Sequence, residues 1–286
     1  MEHVLSTYLF SREPLGSEAL AAVARAGIGA VELYSAPGHV NYRSPEQVRE
    51  LGRWLEGNRL ALHSVHSPMD RGGRQGREGG APISIAEPER LRRIDAVDEI
   101  KRALEIAEQI PFRCLVQHVG SGHEPLDDRH QEAAFNSLEI LVVFARQRGV
   151  KIALENTPGD LSSPDALMDF LRQTRLADLG LCFDTGHARL GEGVEPSFER
   201  MRDRVVTTHI HDNHGELDEH LVPFEGSIDW EAALRLLANA PAELPLVLEL
   251  KEPAAGGWAP ALERAAAALE RMETIAGGQP RPAGRN

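Results

Sequence analysis

The segment HIHDNHGELDEH, residues 209–220, holds four histidines and four carboxylates in twelve positions, a third of the twelve histidines in the chain. Related residues close other apolar runs. Glu32 lies in AVELYS (30–35), His66 near the end of RLALHSVHSP (59–68), and His118 in CLVQHVG (114–120). Glu155 and Asn156 end VKIALEN (150–156), and Asp184 and His187 end LGLCFDTGH (179–187). His209 and His211 lie in RVVTTHIHDN (204–213), and Glu249 in LPLVLELKE (244–252). An unpaired charge at the end of a buried strand is expensive. A divalent cation removes that cost, because it takes imidazole and carboxylate together and neutralises the carboxylates. No cysteine stands among these residues, which argues against a structural zinc site. The mixed set suits a catalytic zinc or manganese ion, with cobalt and magnesium as further options.

Each residue also has a plain structural role to set against this one. Glu155 and Glu249 could be salt-bridged core carboxylates, but ALE and VLE embed them in buried runs, which favours a metal or catalytic role. Asp184 precedes a tight Gly turn in FDTGH. His209 and His211 share a strand face by the period of two, so the pattern does not choose between them. His66 and His118 are balanced between ligands and hydrogen-bonded core histidines. His63, three residues from His66, faces the other way and is expected to be structural. His3, His39, His123, His130 and His214 are expected on the surface or in loops.

Short apolar runs alternating with amphipathic ones position these residues. Strands are expected at 4–10, 30–35, 59–68, 114–120, 150–156, 179–187, 204–213 and 244–252. Helices are expected at 17–27, with Ser17 as N-cap, and at 44–58, 89–109, 129–148, 164–174, 196–202, 229–240 and 260–275. The strands are continuous apolar runs, as in a parallel sheet buried on both faces. Eight strand–helix units in about 250 residues fit an α/β (β/α)8 TIM barrel, whose active site lies at the C-terminal strand ends. A doubly wound sheet usually has a Gly-rich nucleotide turn after its first strand; here that turn is SREPLG. One barrel domain over 1–275 is expected, with a disordered tail at 276–286. The Gly- and Arg-rich stretch 70–88 reads as a long loop. It could act as a lid whose Arg71, Arg74 and Arg77 meet an anionic group.

The motifs LEN (154–156), FDTGH (183–187), HIHDN (209–213), DEHLVPFEGSIDW (218–230) and LEL (248–250) resemble the xylose-isomerase-like TIM-barrel superfamily. That superfamily includes sugar isomerases and epimerases, inosose-processing enzymes and the endonuclease IV family. The resemblance spans about residues 3–270. It implies a sugar, sugar phosphate or cyclic polyol isomerase or epimerase working by proton transfer through a metal-stabilised enediolate. It places the metal on Glu155, Asp184, His209 and Glu249, with Glu155 and Glu249 exchanging the proton and His187 touching substrate. It also matches His66, His118, His187, Asp218 and His220 to the further metal ligands of endonuclease IV, so a multinuclear zinc phosphodiesterase is the alternative.

The net charge of −13 repels phosphate backbones, and no basic stripe with interleaved aromatics appears, so no nucleic-acid partner is expected. No apolar run approaches a membrane span. MEHVLSTYLF lacks the features of a signal peptide, so a cytoplasmic protein with buried free thiols at Cys114 and Cys182 is expected. Trp54, Trp230 and Trp258 serve equally as core or as the interface of a homo-oligomer.

Overall fold

A computed structural model describes residues 1–70 and 82–277. The expected lid arginines and all but the first two residues of the expected tail lie outside the described residues. Eight parallel strands form one sheet: β1 (His3–Ser6), β2 (Ala30–Tyr34), β3 (Ala61–His66), β4 (Cys114–Gln117), β5 (Lys151–Glu155), β6 (Gly180–Asp184), β7 (Val205–His209) and β8 (Leu246–Leu248). They run in sequence order from β1 to β7, with β8 beside β1. Beyond the last ladder, Ile210 bonds across to the β8 segment, its N–H to Val247 O at 2.8 Å and its carbonyl from Glu249 N–H at 3.2 Å. This closes the circle of a TIM barrel.

Helices separate the strands: α1 (Ser17–Arg25), α2 (Pro45–Gly57), α3 (Arg90–Leu104), α4 (Asp128–Arg146), α5 (Pro164–Gln173), α6 (Thr185–Leu190), α7 (Val194–Met201), α8 (Trp230–Ala238) and α9 (Trp258–Gly277). Side chains of Ser44, Asp127, Ser163 and Asp229 accept the free N–H groups at the starts of α2, α4, α5 and α8. Ser17 does not cap α1; it is the first helical residue, and Gly16 precedes it without a side-chain bond.

Several strands are shorter than their apolar runs. The first stops at Ser6, whose hydroxyl accepts Tyr8 N–H and starts a 3-10 turn over Thr7–Phe10. The sixth stops at Asp184, because that carboxylate accepts His187 N–H at 2.7 Å and turns the chain into α6. Hydrophobicity alone does not reveal these stops; a side chain capturing a backbone N–H does. Among the histidines expected at the surface or in loops, His3 lies in β1. His39 is in a loop but buried, with Nδ1 2.8 Å from Glu13 O.

The main core lies between the strands and the helical ring, built from residues such as Leu5, Val31, Leu33, Leu115, Leu154 and Phe183. The barrel interior is separate, and it is graded. Its lower layers hold Val4, Ala30, Val116, Ala153, Cys182 and Val247. Two residues further along the same strands stand Ser6, Glu32, His118, Glu155, Asp184 and Glu249. The same alternation that packs the bottom of the barrel therefore aims polar groups into its top.

One buried charge lies in the outer shell. Glu99 on α3 is 2% exposed and accepts from Tyr42 Oη at 2.6 Å, Arg43 Nε at 2.9 Å and Arg102 Nη1 at 2.9 Å. Burial raises its pKa, but these donors more than compensate and hold it below the ordinary carboxylate value. Its stabilising effect is thus full above the unfolded pKa and is lost as pH falls through the lower folded value. Glu99→Ala is expected to cost about 3 kcal/mol, the low end for breaking a buried pair because both arginines are half exposed. The shift of a urea midpoint at pH 7 measures it, and a loss below about 1 kcal/mol would remove Glu99 as an anchor of α3.

Candidate metal centre and pocket

Four side chains from consecutive strands converge at the top of the barrel. Glu155 ends β5, Asp184 ends β6, His209 ends β7 and Glu249 follows β8. Each offers a donor atom, all within 4.8 Å of one another, and all four are buried. His209 is the hub. Its Nδ1 lies 3.1 Å from Glu155 Oε1, 3.4 Å from Glu249 Oε2 and 3.9 Å from Asp184 Oδ2. Burial alone would keep this imidazole neutral, but Cys182 and the charges of Glu249, Glu32 and Glu155 push its pKa well above the usual value.

Two further groups adjoin this one. His66, His118 and Glu155 form a trio, with the two Nε2 atoms 3.5 and 3.1 Å from Glu155 Oε2. His187, His211, Asp218 and His220 form a quartet. In it, Asp218 Oδ2 lies 3.3 Å from His187 Nε2 and 3.1 Å from His220 Nε2. His211 Nε2 reaches Asp184 at 3.1 Å, which joins the quartet to the first group. Burial works against Asp218 ionisation, yet the bonds from His187 and His220 hold its pKa far below the normal range. Burial also opposes protonation of His187, and Asp184, Asp218 and Glu155 outweigh it. His66 behaves likewise and is raised to about 9 despite burial, first through its bond to Glu155.

The rings are held so that donors face inward. His66 Nδ1 bonds Ser67 O at 2.9 Å, His187 Nδ1 bonds Asn156 O at 3.0 Å, and His220 Nδ1 bonds Glu249 O at 3.0 Å. With Nδ1–H committed to a backbone carbonyl, each Nε2 is left as the donor toward the cluster. Outer hydrogen bonds that fix a tautomer in this way are typical of metal-ligating imidazoles. Inward lone pairs on imidazoles, beside buried carboxylates, fit a divalent ion. Cys182 also lies near Glu155 and His209, but burial raises its thiol pKa well above the ordinary value, which opposes the thiolate that binds metal.

Among the described residues, those expected at the site (Glu155, Asp184, His209, Glu249, His66, His118, His187, Asp218 and His220) are brought together there. The quartet also recruits His211, which the sequence left undecided against His209: the two strand neighbours serve different groups. Gly186 permits this, since a Cβ there would overlap the His211 ring. Asp218 and His220 sit on the loop after β7. That loop is pinned at its base by two 2.9 Å bonds between Asp212 and Leu221. The Asp212 carboxylate accepts Asn213, Phe224 and Ile228 N–H and Trp230 Nε1–H. His63 lies apart, 3.3 Å from Glu2.

A pocket of about 270 Å³ opens above the cluster. His66, His118, His187, Asp218, His220 and Glu249 form its polar floor, and Tyr8 and Tyr34 part of its wall. The tyrosines were not singled out from sequence; Tyr8 follows the end of β1, inside a run read as strand. Burial pushes the Tyr8 pKa up to about 12, so its hydroxyl remains a donor at neutral pH. The two glutamates differ. Glu249 faces the pocket, whereas Glu155 is fully buried with both oxygens on imidazoles.

Residues 20–275 match the model of the family described as xylose isomerase-like TIM barrel. The chain belongs to that family. Uncharacterized protein y4fM of Sinorhizobium fredii is 28% identical over 207 residues, 66% of each chain. The chain spans 66% or less of the length of the first curated relatives it matches. Probable endonuclease 4 of Aster yellows witches'-broom phytoplasma is 22% identical over 248 residues, 78% of this chain and 81% of that one. Among solved structures, a D-tagatose 3-epimerase-like protein matches with a TM-score of 0.79 at 22% identity, covering 97% of this chain and 98% of that one. At that identity the likeness establishes the fold. Among the described residues, no helix is long and apolar enough to cross a membrane.

Proposed function

We propose that this family member is a metal-dependent isomerase or epimerase of a small sugar, sugar phosphate or cyclic polyol. The observation that carries the reading is the pocket itself: a cavity of about 270 Å³ with a carboxylate, Glu249, shared between its floor and a buried four-donor group. Glu155, Asp184, His209 and Glu249 would hold the ion, with zinc or manganese the best suited and cobalt or magnesium the alternatives. When bound, such an ion supplies Lewis-acid polarisation of a carbonyl and its neighbouring hydroxyl. Glu249 takes a carbon-bound proton beside the carbonyl and returns it. Glu155 would be the second proton-exchanging carboxylate; its Oε2 lies 3.1 Å from His118 Nε2 and 3.5 Å from His66 Nε2. Tyr8, Asp218 and His220 are placed to hydrogen-bond hydroxyl groups. The likeness to a D-tagatose 3-epimerase-like structure supports this class of substrate.

A second reading, a multinuclear zinc phosphodiesterase, is favoured by the further donor groups. His66, His118 and Glu155, and His187, His211, Asp218 and His220, each gather ligand atoms within 4.8 Å of one another beside the four-donor group. The endonuclease 4 relative is consistent with it. The acidic chain counts against a duplex substrate.

Metal content and solvent exchange separate the two. One bound ion per chain, unchanged in His220→Ala, and deuterium uptake from D2O into a ketose or polyol are expected for the sugar enzyme. Two or three zinc ions, with a fall on His220→Ala and phosphodiester cleavage, would transfer the assignment to the second reading.

A further inference from the structure

Three of the inward-facing rings, those of His66, His187 and His220, are anchored by a backbone carbonyl on Nδ1. His209 breaks the pattern. It turns Nδ1 into the cluster, and its Nε2 meets a carboxylate instead: Glu32, 3.1 Å away through Oε1 and 3.2 Å through Oε2. Both residues are 0% exposed. Glu32 stands on β2, whereas His209 ends β7, so the contact crosses the inside of the barrel.

The fold places Glu32 by a specific irregularity. Val31 pairs with Leu62, but Glu32 pairs with Ser64, so the register skips His63. The slip brings Ser64 Oγ to 2.8 Å from Glu32 Oε2, where the hydroxyl donates to the carboxylate. A bulge that re-aims a side chain beside a site is a recurrent device. Oε1 has no hydrogen-bond partner beyond the His209 ring among the described residues.

From this geometry we infer that Glu32 is a positioning residue that fixes the tautomer His209 takes beside a bound ion, keeping the proton on Nε2 so that Nδ1 presents its lone pair to the ion that Glu155, Asp184 and Glu249 would share. The inference rests on the reading of that group as a metal centre. The other tautomer would set an Nε2 lone pair against carboxylate lone pairs and aim Nδ1–H at the place of the ion. A carboxylate at position 32 only accepts, so it forbids that state. Glutamine, nearly the same shape, can donate to Nε2 and so permits it. Ser64 has a smaller part: it orients the carboxylate without touching the ring.

The test uses zinc alone as probe, with the full chain stripped of metal. Glu32→Gln is expected to weaken zinc binding about 10- to 100-fold in a chelator competition. Ser64→Ala is expected to weaken it about three- to fivefold, less than loss of the carboxylate, and to keep the wild-type tautomer. Long-range 1H–15N correlation of the zinc-loaded protein reads the His209 ring directly: Nε2 protonated and Nδ1 on the ion in the wild type, and in Glu32→Gln a population with Nδ1 protonated and off the ion. A purely structural role for Glu32 would not move that signature. Zinc binding by Glu32→Gln within threefold of wild type, with the wild-type His209 signature, would overturn the inference and leave the metal reading standing. Absence of zinc binding by the wild-type chain would overturn both. If Glu32→Gln does not fold, Ser64→Ala decides: binding indistinguishable from wild type overturns the relay.

Discussion

Glu155→Gln is expected to lose metal and activity together. Glu155 is the only residue common to the four-donor group and the His66–His118 trio, and its two oxygens meet imidazoles in both. The amide keeps the shape but removes the charge and turns one acceptor into a donor facing those rings. Affinity for zinc or manganese should fall at least about 100-fold, the upper end of what loss of an outer partner costs. A thermal scan reads it without any substrate. Metal at about 1,000 times its Kd stabilises a binding-competent protein by about 4 kcal/mol. For a chain of this size that is a rise of roughly 10 °C in the wild-type midpoint. With its Kd raised about 100-fold, the variant should keep only about 1.4 kcal/mol, roughly a third of that rise. A pH dependence accompanies it. Despite burial, Cys182 and the surrounding carboxylates raise the His209 pKa well above the ordinary value, which favours a protonated ring in the metal-free protein. The ion displaces that proton, so wild-type affinity should rise with pH until the raised pKa is passed. A metal-induced shift in Glu155→Gln equal to that of the wild type would refute the placement of the ion.

The sequence made this candidate site legible because most strands carry a polar side chain at or next to their C-terminal ends. Ala153 and Glu155, Cys182 and Asp184, or Val247 and Glu249 differ by two positions and so by one layer of the barrel. The alternation both packs the barrel and names the site. Legibility failed where the cause is a contact between distant segments. Glu32 was visible as a strand-end carboxylate, but its partner lies 177 residues away across the barrel, and nothing local announces it. His211 could not be separated from His209 by period; the separation depends on the space left by Gly186. Tyr8 was hidden in a run that reads as strand until the Ser6 hydroxyl captures its N–H. The strand ends at Ser6 and Asp184 were overrun for the same reason, since apolar character continues past the residue whose side chain stops the ladder.

Glu249→Gln should separate proton transfer from metal binding. Of the two glutamates it is the one on the pocket floor, with Oε2 3.4 Å from His209 and 3.6 Å from His220. Its backbone carbonyl, not its side chain, anchors His220 Nδ1 at 3.0 Å, so the substitution leaves that ring in place. Three of the four donors, Glu155, Asp184 and His209, also remain, and the amide oxygen still offers a neutral fourth. Metal should therefore be retained, with affinity reduced about tenfold at most. A neutral amide cannot take a proton from carbon, so kcat on a responsive ketose or polyol should drop about 1,000-fold. KM should change little, as expected for a group that acts on the reacting bond. Deuterium incorporation from D2O should fall with kcat. Residual exchange above about a tenth of wild type, in protein shown to be metal-loaded, would remove Glu249 from proton transfer and leave it as a ligand alone. The imidazoles on the floor, His118 first because its side chain is 21% exposed, would then be the groups to replace.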